Sequence, residues 1–202
     1  MSKKPIIARL SISALVFVFT SVIAFLVWSQ YNEKVKAEQI EQIKVLGEHT
    51  RSRVWNVVNA DIDHLKNFTN RLEFSEGGFF KYWQKDAGQL VKLDSSILFI
   101  EWIDSNMIIQ DVVPIDPNRE ILKVDLNNVT YRVHGWMRAA VKGELNITPW
   151  VTLIQGGEAF LVDSPIWIDS VFYGSITGGF NFNYEINNFF DDNRDYHIHL
   201  YD

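Results

Sequence analysis

A glycine pair preceded by glutamine is the first feature of the sequence that suggests ligand binding. Gln155 offers both a donor and an acceptor, and Gly156 and Gly157 let a ligand approach the bare backbone. The same residues fit a simple turn between two strands, because glycine accepts positive φ at little steric cost. No phosphate-binding sequence frame surrounds the pair. The pattern therefore predicts a turn, with contact to a small ligand as the functional alternative.

Four more side chains are candidates for lining a pocket. Trp102 and Asp104 alternate along one predicted strand and share a face, which places an aromatic wall beside a carboxylate. Such a pair suits an organic ligand that carries a donor or a cation. Thr148, before Pro149, can bond backbone or ligand, and Phe160 can form a pocket wall. The structural alternative places Trp102 and Phe160 in the core and Asp104 at a hairpin turn.

Motifs for catalysis are not evident. The sequence has no GxSxG, HExxH or kinase signature, and it contains no cysteine. His197 and His199 share a predicted strand face, but no third nitrogen or sulfur ligand stands at a telling spacing. We therefore predict no catalytic residue, no metal site and no cofactor. A membrane-tethered hydrolase is an alternative that two close carboxylates with separated pKa values would support.

The elements that position these residues predict an α+β domain. Apolar residues in steps of three and four predict a long helix up to residue 72, whose second half, with Trp55 and Phe68, packs against the rest of the domain. A loop with a short amphipathic helix follows within 73–96, and Gly143 ends another helix. Strands are expected at 97–104, 107–115, 150–154, 158–168, 171–182 and 196–201, and the second helix at 131–142. This order is typical of an antiparallel sheet with flanking helices.

An uncharged run over residues 10–28 predicts a membrane-spanning helix. It would be about 28 Å long, close to the thickness of a bilayer's hydrocarbon core. A cleaved signal peptide fits less well, because the run is longer than usual and bulky Trp28 and Tyr31 stand where small residues are needed. Lys3, Lys4 and Arg9 precede the run, so the positive-inside rule places the N-terminus in the cytoplasm.

These features predict four segments in one anchored chain. They are a cytoplasmic N-terminus at 1–9, a transmembrane helix at 10–29, a stalk helix at 30–72 and an extracytoplasmic domain at 73–202. We expect a single-pass protein of the inner (cell) membrane that forms a homodimer through its stalk. The net charge of −6 excludes nucleic acid as a main partner, because that binding depends on phosphate neutralisation.

An ordered series of short motifs spans residues 97–190. Its pieces are Trp102 with Asp104, Pro114 with Asn118, Asp125-Leu126, Ala139-Ala140, Thr148-Pro149, Leu153 with Gln155-Gly156-Gly157, Phe160, Pro165-Ile166, and Gly174. This series resembles the CHASE domain, an extracellular sensory module of receptor histidine kinases and diguanylate cyclases. One departure is Lys123-Val124-Asp125, where many bacterial members carry a glycine just before the Asp-Leu pair.

The resemblance implies a PAS-like sheet that binds a small extracellular ligand and transmits a signal across the membrane. It also implies a second membrane helix and a cytoplasmic output domain, such as a diguanylate cyclase or histidine kinase. Neither is present, so we expect this chain to be the input part of a longer receptor, truncated at its C-terminus. The alternative is a protein interaction or dimerisation module that binds no small molecule.

Overall fold

A computed structural model describes the backbone of residues 4–183 and the side chains of residues 14–183 except Tyr131. The predicted strand at 196–201, with its two histidines, lies outside the described residues. The chain divides into two compact units, Met1–Arg53 and Val54–Asp202. Helix α1, Lys4–Phe74, contributes residues to both units.

The first unit consists of the N-terminal part of α1. Its large apolar side chains between Leu15 and Trp28 are exposed, and this stretch is long and apolar enough to cross a membrane. Further along, exposed ion pairs join Lys34 to Glu38 at 3.8 Å and Glu48 to Arg51 at 3.9 Å. Pairs at these spacings support an isolated helix by only a few tenths of a kcal/mol. An apolar segment thus continues directly into a charged, solvated one.

The second unit is built around an antiparallel sheet, which confirms the predicted α+β class. The strands are β1 Ile97–Asp104, β2 Ile109–Val113, β3 Asn146–Ile147, β4 Val151–Thr152, β5 Glu158–Ile168 and β6 Val171–Phe180. Their order is β2-β1-β6-β5-β3, and β4 also pairs with β5. The helices are α2 Trp83–Leu93 and α3 Thr130–Lys142, with 3₁₀ turns at Gly78–Tyr82, Asp116–Ile121 and Leu126–Asn128.

Each face of the sheet packs against different helices because side chains alternate along a strand. One face buries residues of α1 and α2 against the strands, among them Leu65, Phe68, Leu72, Trp83, Ile100, Val162 and Ile176. The opposite face is covered by α3 and the 3₁₀ turns, with Phe99, Ile109, Ile121, Leu126, Trp136 and Leu161 buried. The second half of α1 therefore supplies core residues, as predicted, although Trp55 remains 66% exposed.

Three predicted strands are shorter than expected. The strand predicted at 171–182 ends at Phe180, and the other two are shorter for local reasons. The strand predicted at 150–154 is limited to β4, because the Leu153 amide bonds the Gly157 carbonyl and closes the turn. The strand predicted at 107–115 is limited to β2, which lies between the hairpin turn and Pro114. Lys123, at the departure from the CHASE pattern, has a φ of 66°, a region that favours glycine.

Candidate functional site

Trp102 and Phe160 lie on the sheet face that packs against α1. The Trp102 ring is 4.9 Å from the ring of Phe80. Phe160 stacks against Phe180 and Phe182, with ring centroids 5.8 Å and 5.1 Å away. Both residues pack against the same apolar cluster. Trp102 and Phe160 are therefore surrounded as core residues are, which is the alternative to a role as pocket walls.

Asp104 and Thr148 make hydrogen bonds that organise the backbone. The Asp104 carboxylate accepts from the Asn106 backbone N–H at 2.9 Å and from the Gln110 side chain at 2.6 Å. It therefore closes the β1–β2 hairpin turn. Thr148 is buried, and its hydroxyl oxygen accepts from the Leu161 backbone N–H at 2.8 Å.

Gln155, Gly156 and Gly157 form the turn that leads into β5. The two glycines have φ values of 89° and 81°, and the space where a Cβ atom would stand is open at both. The Gln155 side chain donates to Asn118 Oδ1 at 3.0 Å and lines a small cavity. Of the seven side chains or glycines predicted from the sequence, Gln155 borders this cavity and the other six do not.

The cavity lies on the sheet face that α3 covers. Its volume is about 30 Å³, room for one or two water-sized groups. Its wall is mostly apolar, with two charged residues and one amide, and consists of Phe99, Glu101, Ile109, Ile121, Leu126, Val129, Arg132, Leu153, Ile154, Gln155 and Leu161. A mostly apolar wall with a few polar groups is typical of small-molecule sites.

A buried charged network borders the cavity. Arg132, from the first turn of α3, places a terminal guanidinium nitrogen 2.8 Å from Asp163 Oδ1 and 3.7 Å from Glu101 Oε1. Thr177 donates to Asp163 Oδ1 at 2.6 Å. The sheet register explains this arrangement, because Thr177 on β6 stands opposite both Glu101 on β1 and Asp163 on β5. The three charged side chains are each at most 4% exposed.

Two groups in this network are incompletely paired. Burial raises the pKa of Glu101 to about 7; the positive charge of Arg132 lowers this pKa and the negative charge of Asp163 raises it. Near neutral pH the Glu101 carboxyl group therefore exists in both protonation states. Within the described part of the chain, the buried Arg132 Nε has no hydrogen-bond partner. Both residues line the cavity, and they carry donor groups at Arg132 and an acceptor or donor at Glu101.

Glu101, Arg132 and Asp163 were not among the site residues predicted from the sequence. The sequence does mark the two acids, because each lies in the middle of a mostly apolar strand, where a charged residue is unusual. Acidic residues are seldom fully buried unless they are paired. Nothing in the helical pattern around Arg132 indicates that it is their partner.

A second polar cluster lies elsewhere in the same unit. One ligand atom from each of Asp61, His64 and Asp94 lies within 4.8 Å of the others, a set that can hold a metal ion. These residues border a cleft of about 440 Å³ between α1 and the end of α2. No metal site was predicted from the sequence, and these three residues were not among its candidates.

The sequence matches no protein-family model, and it matches no curated protein. Solved structures are similar in fold. An extracellular ligand-binding receptor from Desulfohalobium retbaense has 10% identity and a TM-score of 0.54 over 66% of this chain. The ligand-binding domain of the Pseudomonas aeruginosa amino acid chemoreceptor PctC, solved with GABA, has 12% identity and a TM-score of 0.56 over 76%. The extracellular domain of a candidate histidine kinase, rpHK1S-Z16, has 14% identity and a TM-score of 0.51 over 70%.

The chain spans 24%, 67% and 55% of the lengths of these three solved chains, respectively. At such low identities the likeness concerns the fold alone. It agrees with the order of elements, a long N-terminal helix followed by an antiparallel sheet with flanking helices. The fold of this chain is that of the extracellular sensor and ligand-binding domains of chemoreceptors and histidine kinases.

Proposed function

We propose that this chain is the membrane-anchored, extracytoplasmic sensor part of a receptor, and that it binds a small molecule in the cavity beneath α3. One observation carries the proposal. Glu101 and Arg132 are buried charged residues that border a cavity, and Arg132 Nε faces no partner among the described residues. A buried donor without an acceptor is costly, so a ligand acceptor that pairs with it contributes favourably.

The lining chemistry favours a small polar ligand with a short apolar part. An acceptor or carboxylate on the ligand pairs with Arg132, and a donor or ammonium group pairs with Glu101. The PctC domain, of similar fold, is solved with GABA, which carries both kinds of group. The apolar residues of the wall would contact the carbon skeleton of the ligand, which needs no polar partner.

Opening of the cavity is part of the proposal, because about 30 Å³ holds no more than one or two water-sized groups. Two surface segments contribute to its wall, the loop around Asp116–Ile121 and the turn after β4. The Gln155 to Asn118 hydrogen bond joins them. A larger ligand would break this bond, and the ligand's differential affinity for the open and closed forms would drive the change.

We further propose the topology and the partners that the sequence predicts. The N-terminus is cytoplasmic, the helix at 10–29 spans the inner membrane and the sheet domain lies outside the cytoplasm. The stalk mediates a homodimer, and a CHASE-type receptor's output domain, a diguanylate cyclase or histidine kinase, follows downstream. The exposed apolar stretch from Leu15 to Trp28 supports the anchor. The positive residues before the apolar run support the orientation, and the resemblance of residues 97–190 to the CHASE domain supports the output domain.

A thermal-shift screen of the full chain in lipid nanodiscs tests ligand binding. The screen contains amino acids, short amines, short carboxylates and amides. A binder at a hundredfold excess over its Kd stabilises the folded state by about 2.7 kcal/mol. We expect Leu153→Phe, which fills the cavity, and Glu101→Gln to reduce the shift, whereas exposed Glu120→Gln keeps it. A shift that survives both cavity variants would contradict the proposed site.

The small size of the cavity also favours a second candidate function. A domain whose interior is already filled can respond to a partner protein or to its own dimerisation without a small molecule. In that case no compound in the screen stabilises the chain, and crosslinking through the stalk changes with the partner present.

A further inference from the structure

Asp61, His64 and Asp94 bring three metal-ligating side chains together away from the proposed ligand cavity. Asp61 and His64 stand one turn apart on α1, so they share a face of the helix. Asp94 is the residue that directly follows α2. One ligand atom from each residue lies within 4.8 Å of the other two. Two elements distant in sequence therefore direct an imidazole and two carboxylates at one point.

Ser96 holds the two carboxylates in this convergent arrangement. Its hydroxyl oxygen is 2.5 Å from Asp61 Oδ2 and 2.7 Å from Asp94 Oδ1, and its backbone N–H donates to the same Asp94 oxygen at 3.0 Å. A hydroxyl group has one proton to donate, so at any moment only one of the two carboxylates accepts a hydrogen bond from it. Carboxylates that ligate metals are commonly held by such outer hydrogen bonds.

The three residues border a cleft that opens to solvent, and they differ in exposure. Asp61 is buried at 7% exposure, Asp94 is half-buried and His64 is exposed. The cleft they border has a volume of about 440 Å³. An ion can enter from the side of His64, whose exposed ring is free to turn toward it.

We propose that Asp61, His64 and Asp94 bind a zinc ion. An imidazole with carboxylates suits zinc, whereas calcium and magnesium prefer oxygen ligands throughout. Two carboxylates and a neutral imidazole carry a charge that a divalent cation balances. Ligands about 2.1 Å from a tetrahedral zinc lie about 3.4 Å apart, so the ligand atoms approach one another by at most about 1.4 Å on binding. Water completes the fourth position.

The site joins two elements of the second unit. Zinc would link the α1 helix to the connection between α2 and β1, on the sheet face opposite the Glu101 and Arg132 cavity. None of the three ligands borders that cavity. Zinc binding is therefore independent of the proposed small-molecule function, and either can be wrong without the other.

The test is a titration of the untagged full chain in nanodiscs with zinc, followed by calorimetry. Cobalt is used in parallel, because its visible absorption reports an imidazole–carboxylate site directly. We expect one ion per chain and a higher Tm with zinc. His64→Ala, which removes an exposed side chain, should weaken binding by tenfold or more. Asp94→Asn should do the same, and apo-protein melting curves show whether each variant is folded.

Matched controls separate this site from other zinc binders in the chain. Asp63→Asn and His49→Ala change exposed residues on the same helix and should leave the affinity unchanged. The double variant His197→Ala/His199→Ala should also bind normally. The proposal is overturned if the chain binds no zinc, if His64→Ala binds as tightly as the parent, or if the double variant alone abolishes binding.

Discussion

Glu101 places a titratable carboxyl group where a small cavity meets the sheet. It is 3.7 Å from the Arg132 guanidinium, too far for a direct hydrogen bond, while Asp163 holds the same guanidinium at 2.8 Å. Arg132 is therefore committed to Asp163 first, and Glu101 retains much of the cost of its burial. Because Glu101 is the more weakly paired of the two acids, its pairing and protonation are the easiest in the network for a ligand or a proton to change.

The raised pKa of Glu101 makes the stability of the domain dependent on pH. Its pKa is about 7 in the folded chain and 4.5 ordinarily, so the folded state binds the proton more tightly. The stabilising contribution is complete below pH 4.5 and is lost as the pH rises through 7. The free energy of unfolding should fall by roughly 3 kcal/mol across this window, less any opposing effects. Guanidinium unfolding between pH 5 and 8, followed by tryptophan fluorescence, measures it.

Glu101→Gln should flatten this pH dependence because the amide does not titrate. Glu120→Gln, at an exposed position, should leave the slope as it is in the parent. An unchanged slope in Glu101→Gln would show that another group is responsible.

At the scale of elements, the close contact between β1 and β6 positions the charged network. Gly174 stands opposite Asp104 at the end of this pair and has a φ of 121°. A Cβ atom at Gly174 would lie 2.0 Å from the Ile103 carbonyl oxygen, which is backbone and cannot turn aside. The β1–β6 register that places Glu101 opposite Thr177 therefore requires glycine at position 174.

Gly174→Ala should destabilise the domain by about 2–4 kcal/mol, because it adds a backbone clash to an unfavourable φ. Gly156→Ala is the matched control, since Gly156 has a φ of 89° but open space around it. It should cost only about 1–2 kcal/mol. Equal losses in the two variants, measured by chemical denaturation, would argue against a tight β1–β6 contact.

At the scale of the whole molecule, an apolar helix and a sensor-type domain occur in one chain. The apolar stretch is exposed, as a lipid-facing segment must be, and its flanking positive charges lie at the N-terminal end. The second unit contains the cavity in which we propose that a small solute binds. The proposed orientation is required for that function, because only a domain outside the cytoplasm samples external solutes.

The absence of native cysteine allows this orientation to be measured cleanly. Ser2→Cys and Ser105→Cys place single thiols in the N-terminal segment and in the exposed β1–β2 turn. With a membrane-impermeant maleimide on intact cells or spheroplasts, we expect Ser105→Cys to react and Ser2→Cys to react only after lysis. The reverse pattern would contradict a cytoplasmic N-terminus, and reaction at neither site after lysis would indicate buried thiols.

Local patterns in the sequence determined the secondary-structure elements and the apolar N-terminal helix of this protein. Helix and strand periodicity, turn residues such as Gly143, and the uncharged run at 10–28 depend on neighbours within a few residues, so α1, α3, β1, β5 and β6 could be predicted. The pocket residues could not. Trp102 and Phe160 were plausible walls, but which face of the sheet holds a cavity depends on how the helices pack.

Only the tertiary structure decided which polar groups meet. Arg132 and Asp163 are 31 residues apart, and they approach because α3 covers the sheet face on which Asp163 lies. Glu101 lies on the same face, because β6 lies between β1 and β5. Asp61 and Asp94 likewise meet only after α2 has packed beside α1. Such contacts arise from long-range strand pairing and burial, and no local periodicity encodes them. The sequence therefore predicted a membrane-anchored sensor fold, whereas the cavity, its charged network and the group of Asp61, His64 and Asp94 depend on tertiary packing.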